Sequence, residues 1–392
     1  MKNRTLNILY IAHERKLGGA TISLLALIDE MIRRGHEVKV VVPTKKCPLA
    51  LELKKRNICI IPVFFAWWQM PSDWNVIFKL LFKALYILEK VQVYYVWKKV
   101  RACKVDIIHT NSSVTDFGAR LAGKLDVKHV WHVREFGDTD YNLEYIKGKR
   151  KTWEYMNDNS DRIVFISHSL QDYFKEYASN KKRQVIYNGI SREYLYERNY
   201  QDKKTKVTFL IAGNLNRNKR QMLVLQAANE LIERGIFDFK VLIAGASSSM
   251  KDSQIYEEEL KQYIKEKLPE NVQMLGKVED MRQLRTNADV EIVPSNREAF
   301  GRVTIEAMFG GMPVIGSDSG ANVELIQDEV NGVIFENGNY HDLAEKMLLF
   351  INDQSKISEM GKHAYEYAKN NFTAERNASE IEQLYYELVG AK

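Results

Sequence analysis

Short apolar, β-branched runs alternate with longer helix-patterned stretches along most of the chain, and the alternation starts afresh after one polar interval. In the first half the runs cover 6–12, 38–43, 58–63, 105–110, 129–133, 162–167 and 184–188. They are apolar on both faces, the mark of parallel strands covered by helices. Between the first two runs, Ile22, Leu24, Leu25, Leu27, Ile28, Met31 and Ile32 recur with helical spacing, and Gly35 supplies a stop. Residues 192–206 are charged and poor in aliphatics, which places a linker there. The pattern resumes at 207–212, 239–244, 272–275, 290–294, 313–317 and 332–335. Two consecutive strand–helix series predict two doubly wound α/β domains, 1–195 and 206–372. The strongly helical segment at 373–392 either caps the second domain or crosses back to the first. A chain of 392 residues suits two cores, since one core rarely grows past roughly 250–300 residues. Ligands in such sheets sit beyond the carboxyl ends of the strands, so two facing domains would bind between them.

Composition removes several classes of function. With 45% hydrophobic and 28% charged residues the chain is neither disordered nor fibrous. Cys47, Cys59 and Cys103 form no closed disulfide framework and match no metal-site spacing, which points to a reducing compartment. The run ending at His13-Glu14-Arg15 lacks the cleavage site of a signal peptide, and no stretch is long and apolar enough for a membrane span. The expectation is a cytoplasmic protein. Segment 74–104 carries Lys79, Lys83, Lys90, Lys98, Lys99, Arg101 and Lys104 against Glu89 alone, a balance equal to the +6 of the whole chain. The charge is therefore one local patch, which disfavours a nucleic-acid partner.

The most informative stretch runs from Pro294 to Ile315. A buried-strand pattern ends at Pro294, a short loop carries Glu298, and a helix starts near Gly301 and stops at Gly310-Gly311. Its start at Gly301-Arg302-Val303 offers free backbone N–H groups and a positive dipole end, suited to a phosphate. Glu306, two turns in, is placed to accept hydrogen bonds from a ribose diol. Glu298 lies nearer the mouth, facing a sugar.

Glu298-x7-Glu306, with the following Gly-Met-Pro-Val-Ile, resembles the retaining GT-B glycosyltransferases of family 4. Other segments are similar to the family in the same order. They are Gly18-Gly19-Ala20 with Arg34-Gly35-His36-Glu37-Val38, 106–111, 131–136, 165–168, 185–189, 212–219, Ser319-Gly320 and Glu324. The resemblance spans roughly residues 6 to 340, and it implies the GT-B fold of two facing Rossmann-like domains. One departure stands out. The family often has an arginine where this chain has Asn214, while Lys219 keeps its place and Arg217 lies in the same loop as a substitute.

The resemblance implies that Glu298, His132 and Lys219 serve catalysis. Lys219, Gly19 and Arg217 would meet the donor diphosphate, and Glu306 the ribose. Glu298 would hold sugar hydroxyls, and backbone near Lys277 and Val278 would meet the base. Phe300, Gly301, Arg302 and Val303 complete the donor side. Gly18, His109 and Asn111 are assigned to the acceptor side, a buried structural role being the alternative for His109. Asp138-Thr-Asp140 looks like a metal motif but lies outside the matching context, and the resemblance implies neither cofactor nor catalytic metal.

The implied reaction moves a sugar from a nucleoside-diphosphate sugar, UDP first and GDP second, to a hydroxyl of a saccharide or lipid-linked acceptor in surface polysaccharide or glycoconjugate synthesis. No carboxylate pair in the glycosidase arrangement is evident, which favours front-face attack with the leaving phosphate taking the acceptor's proton. The alternatives are a nucleotide-sugar epimerase of the same fold, a catalytically silent GT-B binding protein, or a periplasmic-type ligand-binding protein. Finally, Trp74, Phe78, Phe82 and Tyr86 recur every fourth residue among the lysines of 64–104. That pattern predicts either contact with the inner membrane leaflet through 74–104 or an aromatic core face with solvated lysines outside.

Overall fold

The computed structural model describes residues 4–71, 75–138, 143–200 and 205–390, with the side chains of Pro71, Val76, Lys79 and Phe82 outside that description. It divides into two compact units. The first is residues 1–189 with 374–392, and the second is Ile190–Thr373.

The first unit is built on seven parallel strands. They are β1 (Asn7–Ile11), β2 (Glu37–Val42), β3 (Cys59–Pro62), β5 (Ile107–Asn111), β6 (Lys128–Val133), β8 (Arg162–Phe165) and β9 (Arg183–Val185), in the order β3-β2-β1-β5-β6-β8-β9. Alternation along β1 explains the two core layers. Ile8 and Tyr10 pack on one face with Leu24, Leu27 and Ile28 of helix Gly19–Arg33. Leu9 and Ile11 pack on the other with Val93, Val96 and Phe117. The C-terminal helix Ala374–Val389 adds Ala378, Ile381, Leu384 and Tyr385 to the first of these layers. Its Glu382 accepts from Arg34 at 2.8 Å and lies 2.8 Å from His36. Two further strands, β4 (Gln69–Pro71) and β7 (Leu143–Tyr145), form a small antiparallel ribbon. At three residues each, they are too short to carry a periodic signal.

The second unit repeats the design with six parallel strands. They are β10 (Val207–Ala212), β11 (Phe239–Ala244), β12 (Val272–Gly276), β13 (Val290–Val293), β14 (Val314–Ser317) and β15 (Gly332–Phe335), in the order β12-β11-β10-β13-β14-β15. Composition placed a linker at 192–206, but the described part of that segment is pinned to this unit. The Arg198 guanidinium donates to the carbonyls of Gly310 at 3.0 Å and Ala288 at 2.6 Å, and the Tyr200 hydroxyl donates to Gly311 O at 2.8 Å. A polar composition here reflects side chains that satisfy the carbonyls of buried residues, not a free connector. In each sheet the chain reverses its winding beside the first strand, between β1 and β5 and between β10 and β13. The carboxyl ends at such a point form a ready-made crevice.

The 25-residue helix Val76–Val100 has two different faces. Glu89, Val93, Val96 and Val100 are buried. Ile77, Leu80, Leu81, Ile87, Leu88 and Val91 are exposed, and their separations of three, four and seven residues place them along one helix face. Of the four aromatics expected to share a face, Trp74 and the Phe82 side chain lie outside the described residues. Phe78 is exposed, whereas Tyr86 turns inward and donates to Asp116 Oδ2 at 2.5 Å. The exposed stripe is thus mainly aliphatic.

Candidate functional site

In the second unit, β13 ends at Val293 and the chain crosses a loop to helix Arg302–Phe309. Gly301 precedes that helix at φ +83, a backbone state that favours glycine. The first N–H groups of the helix have no intrahelical acceptors. From the end of β10 a turn brings in Lys219, whose own N–H is capped by the Asn216 side chain at 3.1 Å. The Lys219 ammonium is ion-paired with Glu298, and Ser295 Oγ donates to the same carboxylate at 2.6 Å. Two of the residues expected at the donor phosphates and sugar are therefore in direct contact.

Glu306 is fixed from two sides. Arg302 donates to it at 2.7 Å and Arg285 at 2.9 Å. Arg285 is buried and also donates to Glu291 at 3.1 Å on the central strand β13. Burial works to lower the Arg285 pKa, but the charges of Glu291 and Glu306 outweigh it and hold the guanidinium ionised. Arg285 carries no motif, and the sequence reading passed over it. Its signal was Glu291, an acid in an otherwise apolar strand that needs a buried cation.

The remaining donor-side residues divide. Phe300 is buried, and Val303 and Val278 are half-buried, the latter just beyond β12. Arg217 faces elsewhere. Its guanidinium reaches Glu259 at 2.8 Å and Asp252 at 3.4 Å and covers the Tyr256 ring at 5.2 Å. The structure therefore does not bring Arg217 to Lys219 and Glu298, because helix Lys251–Lys267 offers it two carboxylates. Arg220, which sequence reasoning missed, instead bonds Asn296 at 2.8 Å and Asn337.

In the first unit Gly18 precedes helix Gly19–Arg33, and a Cβ built on Gly19 would meet nothing within 4 Å. The ends of β5 and β6 form a buried polar cluster. Arg134 Nε donates to Asn111 Oδ1 at 2.6 Å, and another guanidinium nitrogen donates to Asn188. The His132 Nδ1 lies 3.0 Å from His109 Nε2 and 3.3 Å from an Arg134 nitrogen. Burial, then the Arg134 charge, hold both histidines well below the usual imidazole range. Burial also lowers Arg134 itself to about 10, against the opposing charges of Glu135 and Glu14. His109 was assigned to the acceptor side. It is as fully buried as His132, but both its ring nitrogens are engaged, by Tyr385 and His132, so it has no group left for an acceptor. His132 Nε2, in contrast, has no partner among the described residues.

Two acids here were also missed. Glu135 accepts from Ser112 Oγ at 2.6 Å and from Ser113 N at 3.0 Å. Burial, reinforced by Glu135, raises the Glu14 carboxyl to about 7. Of the acidic pair flanking Thr139, Asp138 accepts from Lys149 at 2.8 Å and Tyr173 at 2.9 Å, and Asp140 lies outside the described residues. Among the described residues no group of three or more His, Cys, Asp or Glu side chains is arranged to hold a metal.

Comparison with known proteins follows the two units. Residues 17–194 match the family model Glycosyltransferase Family 4, and residues 195–370 match Glycosyl transferases group 1. An uncharacterized glycosyltransferase of Methanocaldococcus jannaschii is 27% identical over 72% of this chain and 76% of that protein. The N-acetyl-alpha-D-glucosaminyl L-malate synthase of Bacillus anthracis is 27% identical over 59% and 61%. The UDP-Gal:alpha-D-GlcNAc-diphosphoundecaprenol alpha-1,3-galactosyltransferase of Escherichia coli is 25% identical over 75% and 78%. Among solved structures, Anabaena HepE in complex with UDP superposes with a TM-score of 0.79 at 20% identity, covering 98% of this chain and 100% of that one. At that identity the likeness concerns the fold.

Proposed function

The chain belongs to the group 1 glycosyl transferases of the GT-B fold, and from that premise we propose that it is a retaining enzyme using a nucleoside-diphosphate sugar. A UDP-sugar is the first expectation and a GDP-sugar the second. The acceptor is a hydroxyl of a saccharide or of a lipid-linked saccharide, within surface polysaccharide or glycoconjugate synthesis. The observation that carries this reading is the contact of Lys219 with Glu298, beside a helix N-terminus that holds Glu306 about one turn in.

In this reading the helix N–H groups and Lys219 take the diphosphate, whose charge grows as it leaves. Glu306 accepts from the ribose hydroxyls while Arg302 and Arg285 hold its orientation. Glu298 exchanges part of its bond to Lys219 for the sugar hydroxyls. Lys219 and backbone amides supply the positive charge, so transfer needs no metal and persists in a chelator. His132 is assigned to the sugar through its unpartnered Nε2, and the leaving phosphate receives the acceptor's proton. The protein contributes positioning and charge stabilisation.

Support for UDP comes from a similar protein named for UDP-galactose and from a structural neighbour solved with UDP. The test is nucleoside diphosphate release from a panel of UDP- and GDP-sugars with saccharide and lipid-linked acceptors, with the anomeric configuration of the product read by NMR. An acceptor-dependent α-glycoside from an α-linked donor supports the reading, and an inverted product contradicts it.

We also propose that the lipid-linked acceptor is met at the inner leaflet of a membrane. The aliphatic stripe from Ile77 to Val91, flanked by Lys83 and Lys90 and followed by Lys98 and Lys99, supports this. No described helix is long and apolar enough to cross a membrane. Flotation with anionic liposomes is expected to carry the protein at low salt, and Leu80→Glu with Leu88→Glu is expected to abolish this. Folded protein that stays in the dense fraction would contradict it.

A further inference from the structure

Behind His132 runs a chain of buried polar groups that reaches the C-terminal helix. His109 Nε2 lies 3.0 Å from His132 Nδ1, His109 Nδ1 lies 2.6 Å from the Tyr385 hydroxyl, and the Tyr385 and Tyr10 hydroxyls are 3.3 Å apart. All four side chains are fully buried. His132 Nε2 is buried too, with no hydrogen-bond partner among the described residues.

The proton positions follow from the one member that cannot act as acceptor. Arg134 presents an N–H to His132 Nδ1 at 3.3 Å, so that nitrogen carries a lone pair. A neutral His132 then holds its proton on Nε2. Since Nδ1 is an acceptor, His109 must donate to it from Nε2. His109 Nδ1 is then the acceptor for the Tyr385 hydroxyl, which also lies 3.3 Å from the Tyr10 hydroxyl. From Arg134 to Tyr385 the roles set by the arginine are consistent, and one donor is left over, the His132 Nε2–H. A buried donor without an acceptor is costly, and a ligand oxygen would satisfy it.

We propose that Tyr385 and His109 are positioning residues for sugar transfer: with Arg134 they fix His132 as the Nε2–H tautomer and so present one hydrogen-bond donor to an oxygen of the bound sugar. The proposal rests on the assignment of His132 to the sugar made above. It gives the C-terminal helix a part in the chemistry, although none of its side chains touches the substrate.

The direct test is a long-range 1H–15N spectrum of the full chain labelled at histidine, with His132 assigned through His132→Gln. The expected result is a neutral His132 as a single Nε2–H tautomer. An Nδ1–H tautomer, or an exchanging mixture, would overturn the inference without any variant having to fold. Kinetics add a second arm. His109→Gln keeps one donor and one acceptor, and its kcat is expected within about twofold of wild type. His109→Leu keeps neither, and its kcat is expected about tenfold lower at an unchanged donor KM, with Tyr385→Phe about three- to tenfold lower. Equal rates for the Gln and Leu variants, both shown folded by an unaltered nucleotide-induced thermal shift, would overturn the inference. Failure of the underlying reading looks different: His132→Ala would then transfer sugar at the full rate, whatever tautomer the spectrum shows.

Discussion

Arg285 donates to Glu306 at 2.9 Å and to Glu291 at 3.1 Å, so one buried guanidinium ties a strand of the core to the carboxylate assigned to the ribose. If Glu306 binds the ribose as proposed, stability and donor binding share a residue. Removing Arg285 leaves Glu291 buried without its counter-charge. Arg285→Met is expected to cost about 3–5 kcal/mol in urea unfolding. Arg285→Met with Glu291→Leu is expected to recover most of that loss while nucleotide affinity stays low. Recovery of affinity together with stability would show that Arg285 does not orient Glu306.

Glu306→Gln tests binding at a smaller cost in folding. Arg302 and Arg285 bond different carboxylate oxygens, so the amide oxygen can accept from only one of them. Glu291 still neutralises Arg285, so the free protein is expected to stay folded, with a stability loss of about 1–3 kcal/mol. Its neutral oxygen is a weaker acceptor for a ribose diol. Calorimetric titration is expected to show about a tenfold rise in the nucleotide Kd, about 1.4 kcal/mol.

The loop that carries Glu298 depends on Gly320. That residue has φ +61, and a Cβ there would lie 2.4 Å from both the backbone N and O of Glu298. The neighbouring Ala321 N–H also donates to Glu298 O at 2.8 Å. Gly320→Ala must therefore displace the backbone that carries Glu298. Transfer is expected to fall more than about tenfold, with a stability loss of about 1–3 kcal/mol. Full activity in this variant would mean that the position of Glu298 is unimportant.

Glu14 supplies a pH signature. Its carboxyl is raised to about 7 by burial and by Glu135, so the folded chain holds the proton more tightly than the unfolded one. Such a group favours the fold fully below about 4.5, and its contribution fades as pH rises through about 7. Glu14→Gln cannot ionise. Its stability relative to wild type is expected to rise between pH 5 and about 8, measured by urea unfolding at each pH. A constant difference across that range would contradict the burial of this carboxyl.

Both sheets were legible in the sequence because every strand of a covered parallel sheet is apolar on both faces. The runs 207–212, 239–244 and 332–335 coincide with β10, β11 and β15. The ribbon of β4 and β7 was not legible, since three residues carry no periodicity. In the site, Lys219, Glu298 and Glu306 were visible as a spaced pattern, and the structure brings Lys219 and Glu298 into contact. What spacing could not convey was direction. Arg217 lies two residues from Lys219 yet turns to Asp252 and Glu259, and His109 lies on a site-bearing strand yet faces Tyr385. Arg285 was missed because Glu291 signals a buried cation without saying which, and folding alone joins it to Glu291 and Glu306.

The central claim is a nucleotide-sugar site built on Lys219, Glu298 and Glu306. Its most direct test is a thermal-shift panel of UDP, GDP, ADP and their common sugar conjugates on wild type and Glu306→Gln. A nucleotide at about 100 times its Kd adds roughly 2.7 kcal/mol, or about 5–10 °C for a domain of this size. The account predicts such a shift with one base, UDP first, and a smaller one in the variant. Folded protein that shows no shift with any nucleotide at millimolar concentration, or an equal shift in Glu306→Gln, would contradict it.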